Sequence, residues 1–231
     1  ENQQHSFFKY FLKKYSIKKV SADKMMTKSR GPVWHKKQKD LNIIPKNLRG
    51  IDREATWSKS MADGWIYGHG TFCLTSHQLP VLGIFQWMPN SRNEAKRMEE
   101  EIIKYTGIVK KVCMDSKADD QKLYFGLKKN YKIRLVTSPR KNMNKSASRK
   151  KMIKDMLTPR NLKDYQDRPI TVEPMQGLVK DIFELDKCWM RGNASNRWLF
   201  AAMGIAVQMA QSKVLKSKQS TWKIKSYVLG I

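Results

Sequence analysis

Apolar positions along the chain change period several times, and each change marks an element. Residues 5–15 place Phe7, Phe8, Phe11, Leu12 and Tyr15 at helical spacing, and residues 17–22 then read as a short strand that delivers Asp23. Residues 24–63 are polar, basic and rich in turn formers (Gly31-Pro32, Pro45, Gly50), which predicts a long excursion between strands. Two β-branched and aromatic runs, 64–76 and 79–88, follow a few residues apart and predict an antiparallel pair. Asn90-Ser91 offers an N-cap for a helix whose stripe is Ala95, Met98, Ile102, Ile103 and Tyr105, ending at Gly107. A strand reaching Asp115, a helix over 119–127 and a strand over 132–137 complete an order β-β-β-α-β-α-β. Such an order predicts an α/β layer architecture, a mixed sheet with helices on its faces.

Beyond residue 145 the pattern is helical. Residues 146–162 form a lysine-rich stretch, and 172–188 carry a clearer amphipathic stripe of Met175, Leu178, Val179, Ile182 and Phe183. Glu173 and Lys180, seven residues apart, share its polar side, and Pro174 restricts Glu173 to the first turn. Residues 197–212 predict an apolar helix packed on the sheet, interrupted by Gly204 and Gln208 and too short to span a bilayer, so no membrane partner is expected. No linker divides the chain, which predicts one domain over 1–231 with a polar basic insertion at about 24–63 and a basic tail at about 213–231. An upstream DNA-binding segment is expected before Glu1, because the chain starts without Met.

Charge narrows the function. Lys and Arg number 46 against 20 Asp and Glu, a net charge of +26, so the expected partner is a polyanion. The excess is concentrated: residues 121–154 hold 12 basic side chains and no acid. Phosphate neutralisation by such residues gives a salt-dependent affinity for nucleic acid. Cys73, Cys113 and Cys188 have no metal-site spacing and read as buried free thiols in a reducing compartment, which fits a cytoplasmic location, nucleoid-associated in a bacterium. Against this background Asp115, Asp119 and Asp120 stand out, and Asp115 follows Val112-Cys113-Met114 at a strand end, where a carboxylate is rigidly aimed and suits Mg²⁺. Plainer uses are a helix cap for Asp115 or Glu173, core packing for Trp34, Trp57 and Trp65, and ordinary hydrogen bonding for His35 and His69.

Asp115-Ser116-Lys117-Ala118-Asp119, together with Tyr165, Arg168, Glu173 and Lys180, resembles the insertion-sequence transposases with a ribonuclease H-like catalytic domain and a DDE triad. The first segment is similar to the Asp-x-x-Ala-Asp stretch around their second aspartate, and the second to their Tyr-Arg-Glu-Lys signature. Four residues separate Arg168 from Glu173 where the signature has three. The resemblance spans roughly 20–211 and implies a ribonuclease H-like mixed five-stranded sheet flanked by helices. It also implies Asp23, Asp115 and Glu173 as catalytic acids and ligands of Mg²⁺, for which Mn²⁺ substitutes. Asp52 competes with Asp23 as the first acid, but Asp23 ends a strand and Asp52 follows loop sequence. Lys180, Arg168, Tyr165, Arg140 and Lys141 are the expected contacts to double-stranded DNA, at the ends of the element and in the target. A homodimer bridging two ends is implied as well. The implied reaction is metal-dependent phosphodiester hydrolysis and transfer of the freed 3′-hydroxyl into target DNA. A catalytically silent or truncated DNA-binding derivative, and a nuclease or resolvase without strand transfer, are the alternatives.

Overall fold

The computed structural model describes residues 2–46, 48–60, 63–140 and 146–230. Helix α1 (Asn2–Lys14) buries Phe8, Phe11 and Leu12 on one stripe and leads into β1 (Lys19–Lys28). The long excursion carries a short helix, α2 (Lys36–Asp40), and a strand, β2 (Thr56–Ser60). Strands β3 (Gly64–Ser76) and β4 (Leu82–Pro89) follow, then helix α3 (Glu94–Ile102) and β5 (Lys111–Cys113). Helix α4 (Gln121–Tyr131) and β6 (Arg134–Val136) complete the sheet segment. Five helices close the chain: α5 (Ala147–Met156), α6 (Pro159–Gln166), α7 (Val172–Phe183), α8 (Asn193–Lys216) and α9 (Lys225–Leu229).

The sheet runs β2-β3-β1-β5-β6, with β4 also paired to β3. β3 pairs antiparallel with β1, β2 and β4, whereas β1, β5 and β6 are parallel. The architecture is thus a mixed α/β sheet of ribonuclease H-like kind, as expected, with six strands in place of five. The sixth is β2, hidden from the sequence pattern because it pairs only with the outer end of β3 and is half-buried apart from exposed Lys59. Alternation along the strands feeds two cores. Phe72 and Leu74 face a cluster built with α1, α3, α4 and α5; Cys73 joins Met175, Val179, Phe200, Met203 and Val207 of α7 and α8 on the other side.

Several boundaries differ from the sequence reading, each for a local reason. The lysine-rich stretch is two helices, since Pro159 occupies the first turn of α6 and the preceding residue is extended. The cap of α3 is Asn93, which accepts from the N–H groups of Ala95 and Lys96; Asn90 is buried and donates to the Thr56 and Ile66 carbonyls. Helix α7 stops at Phe183 because Glu184 turns into the left-handed region. Among Asp119 and Asp120, only Asp120 caps α4, through Leu123 N–H, while Asp119 is buried against Arg149.

β4 lies at the rim of the sheet, and three glutamines satisfy its outward backbone groups. Gln211 accepts from Leu82 N–H at 2.9 Å, Gln4 accepts from Phe85 N–H at 2.8 Å and donates to Phe85 C=O, and Gln208 donates to Gly83 C=O at 2.8 Å. The edge strand is thereby closed by α1 and α8 without a seventh strand. Gly204 makes this possible: a Cβ there would stand 2.5 Å from the Gln4 amide nitrogen. Glu101 ties α3 to α1 by accepting from His5, Arg97 and Lys104. Burial would raise its pKa, but these partners outweigh burial and bring it down to about 2.

Two stability outcomes follow. Gly204→Ala gains about 1 kcal/mol of helix propensity but displaces Gln4 and orphans a buried N–H, a loss of about 1–3 kcal/mol. Its thermal midpoint should fall, while Gly126→Ala on α4, where nothing lies within 4 Å of the added methyl, should raise it. Because the folded pKa of Glu101 is depressed, its stabilisation is present above about pH 4.5 and is lost as pH falls toward 2. Glu101→Gln should therefore destabilise at pH 7, and its denaturation midpoint should converge on that of the parent near pH 2–3.

Candidate metal centre

The register of the parallel pair sets the geometry. β1 and β5 align Lys19 with Lys111, Val20 with Val112 and Ser21 with Cys113, and the pairing stops there. Two residues beyond that last pair stand Asp23 and Asp115, at the same level of the sheet. β1 itself runs on to Lys28 because β3 continues to pair with it on the other side, so Asp23 is mid-strand rather than at a strand end. Asp115 leaves the sheet to cap a one-turn helix at 116–118, accepting from Lys117 N–H at 3.0 Å. The cap and the candidate ligand are the same side chain.

The third carboxylate is Glu94, the first residue of α3. Asp23, Glu94 and Asp115 each offer an oxygen, and these atoms lie within 4.8 Å of one another. Glu94 is 4% exposed, its Oε1 receives Lys24 Nζ at 3.2 Å and Lys117 Nζ at 2.7 Å, and its Oε2 has no hydrogen-bond partner among the described residues. Burial pushes the Asp23 carboxyl up to about 6, with Arg168 opposing and Glu94 adding to the rise. Asp115 is raised as well, by burial and then by the Glu94 charge. Three hard oxygen donors, one orphaned and two reluctant to ionise beside each other, fit a divalent cation such as Mg²⁺ or Mn²⁺. Sequence reasoning missed Glu94, since an acid just inside a helix start reads as a dipole partner. Its one signal was membership of Glu94, Glu99, Glu100 and Glu101, an acidic patch in a basic chain.

Glu173 lies outside this trio. It is half exposed at the start of α7 and takes Arg168 Nη2 at 3.0 Å, while Arg168 Nη1 stands 3.6 Å from Asp23 Oδ2. One guanidinium thus links the first acid to Glu173, and Thr171, two residues earlier, donates to Ser21 Oγ of β1 at 3.2 Å. Tyr165 on α6 and Lys180 on α7 are half-buried. Arg140 is held beside Asp115, its N–H on Asp119 and its Nε 2.7 Å from Ser116 C=O. Lys141 lies outside the described residues.

Asp52 sits elsewhere. It is buried and accepts from His69 Nε2 at 2.8 Å, Gly192 N–H at 3.1 Å and Glu54 N–H at 3.2 Å. Burial opposes its ionisation, but these donors prevail and hold its pKa below the usual range. Trp87 Nε1 donates to His69 Nδ1, which leaves the ring proton on Nε2 for Asp52. The pair therefore pins the insertion to the turn before α8. Trp34 and Trp57 pack with Ala55 and Tyr67 in a small core of that insertion, whereas Trp65 is exposed, and so is His35.

No known family profile matches the chain, and no curated protein matches it. Among solved structures it is similar to the cryo-EM structure of a piggyBac transposase synaptic complex with hairpin DNA, with a TM-score of 0.57 and 11% sequence identity. The fold is transposase-like. The match covers 91% of this chain and 51% of that one, so the chain spans about half the length of that transposase.

Charging Asp23 costs stability at neutral pH. Its folded pKa is raised, so its contribution is favourable below the unfolded value of 3.8 and is lost as pH rises through about 6. Asp23→Asn, a neutral isostere, should raise the thermal midpoint at pH 7.5 in chelator by about 2–6 °C, roughly 1–2 kcal/mol, and the difference should shrink below pH 6. A lower midpoint would mean that Asp23 is held mainly as the partner of Arg168.

Proposed function

We propose that the chain is a DNA transposase catalytic domain, and that Asp23, Glu94 and Asp115 hold its divalent metal. The observation that carries this reading is the convergence of three carboxylates, one with an unpartnered buried oxygen, where parallel pairing ends in a transposase-like sheet. A bound Mg²⁺ or Mn²⁺ would supply Lewis-acid activation of the attacking oxygen and charge relief on the leaving oxygen of a phosphodiester. The chain's own cations have distinct parts. Lys24 and Lys117 hold Glu94 in place, and Arg168, whose Nε and Nη1 lack hydrogen-bond partners among the described residues, is placed to meet a phosphate oxygen beside Asp23. Glu173, released from Arg168 when that phosphate arrives, is the remaining acid of a DDE set.

On this reading the substrate is double-stranded DNA at the ends of the encoding element. The products are a freed 3′-hydroxyl and its joint to target DNA, and two copies act on two paired ends. The insertion-sequence character belongs to the same proposal and rests on the Asp115 and Glu173 segments. Incubating the protein with duplex carrying the element's terminal sequences, a target plasmid and Mg²⁺ should yield nicked ends and joined products, both abolished by chelator. Asp23→Ala, Asp115→Ala and Glu94→Gln should each lower the rate by about 10²-fold or more. Glu173→Gln reports separately whether the half-exposed acid is needed. Cleavage without joining would assign a nuclease, and acid-to-neutral variants as active as the parent would refute the metal centre.

A further inference from the structure

The strands that carry the acids begin with bases. Lys19, Lys111 and Arg134 are aligned residue for residue across β1, β5 and β6, at the opposite ends from Asp23 and Asp115. Four residues of strand, about 13 Å, separate the two levels. At the basic end lies a concavity of about 360 Å³ whose lining is cationic throughout: Lys110, Lys111, Lys128, Lys132, Arg134 and Arg160. It adjoins a second hollow of about 580 Å³ that adds Lys18, Lys19 and Lys163, with Asp164 and Asp167 as its acids. Buried Asp164 on α6 receives both Lys19 and Lys111, which fixes those two ammonium groups, and Lys128 stands 4.0 Å from Asp155; Lys110, Lys132, Arg134 and Arg160 have no ion-pair partner among the described residues and face the hollow.

Lys132 has a backbone setting that it shares with Ser16, Asn42, Glu184 and Lys218. It ends α4 in the left-handed conformation, φ 57°, where glycine is the unstrained choice, and its exposed side chain is one wall of the hollow. A non-glycine residue there costs on the order of 1 kcal/mol. The four cations of the hollow without a carboxylate partner among the described residues repel one another unless an anion intervenes. Among the described residues no apolar side chain lines the hollow to enter a lipid surface, which leaves a regularly spaced polyanion as the fitting ligand.

We propose that this hollow seats the phosphate backbone of nucleic-acid duplex outside the segment that meets the carboxylates. Helix α6 spans the two places: Arg160 belongs to the hollow, Asp164 to the one adjoining it, and Arg168, just past the end of the helix, reaches Asp23. The inference needs charge and shape only and stands whether or not the carboxylates cleave DNA.

The test is binding of a 30-bp DNA duplex in EDTA, followed by fluorescence anisotropy from 50 to 300 mM NaCl. The triple variant Lys110→Gln, Lys132→Gly, Arg160→Gln should lower the slope of log affinity against log salt by about 0.9 per residue, roughly 2.7 in all. At 0.15 M salt this is an affinity loss on the order of 100-fold. Lys132→Gly alone should lose about fivefold while melting no lower than the parent, because glycine suits the left-handed position. A control triple of equal charge, Lys216→Gln, Lys218→Gln, Lys223→Gln in the tail, should lose clearly less. Equal losses in both triples, an unchanged slope, or loss of binding to phosphatidylserine vesicles with duplex affinity intact would each overturn the proposal.

Discussion

Everything at the carboxylate centre depends on one asymmetry in the backbone pairing of β1. Its parallel ladder with β5 ends at Ser21 and Cys113, while its antiparallel ladder with β3 continues to Lys28. A strand paired on one side only keeps its direction and pleat yet opens a gap on the other, and Asp23 stands at the edge of that gap. β5 ends at the same level, so Asp115 enters the gap from the neighbouring strand. Helix α3 then brings Glu94 in at its first turn, held by the Asn93 cap and by the Glu101 contacts to α1. Three separate elements converge because a sheet, a cap and an ion-pair cluster leave them no other place to go.

Electrostatics explains how so acidic a point survives in the fold. Burial, and after it the neighbouring charge of Glu94, disfavours ionisation, which is why Asp23 and Asp115 are both raised. Lys24, Lys117 and Arg168 surround the group and reduce the cost without occupying every oxygen. Around this centre other buried charges are held in ion pairs. Arg149 grips both oxygens of Asp119, and Asp164 takes two lysines. Buried charges paired with opposite charges hold elements in place, whereas three carboxylates gathered at one point suit a cation.

Much of this was legible in the sequence. Periodicity located α1, β3, β4 and the helix that bears Glu173, because their apolar positions face a core and repeat with the element's own period. The charge runs pointed to a polyanion, and Asp23 and Asp115 were named from their places after apolar runs. β2 escaped because a half-buried edge strand needs no alternation. The break at Thr158-Pro159 was overlooked because lysine-rich helix sequence continues on both sides of it. Glu94 escaped because its partners lie far away along the chain, at Lys24 and Lys117.

The sequence by itself determined the layer architecture, the strongly basic surface and two of the acids, since each rests on local periodicity or on composition. Only the tertiary structure decided that Glu94 joins Asp23 and Asp115, and that Glu173 is linked to them through Arg168. It also decided that Asp52 serves the insertion, and that lysines gather at the far end of the strands that bear the acids. These are matters of register and of contacts between distant segments, and nothing in the order of residues along one segment carries them.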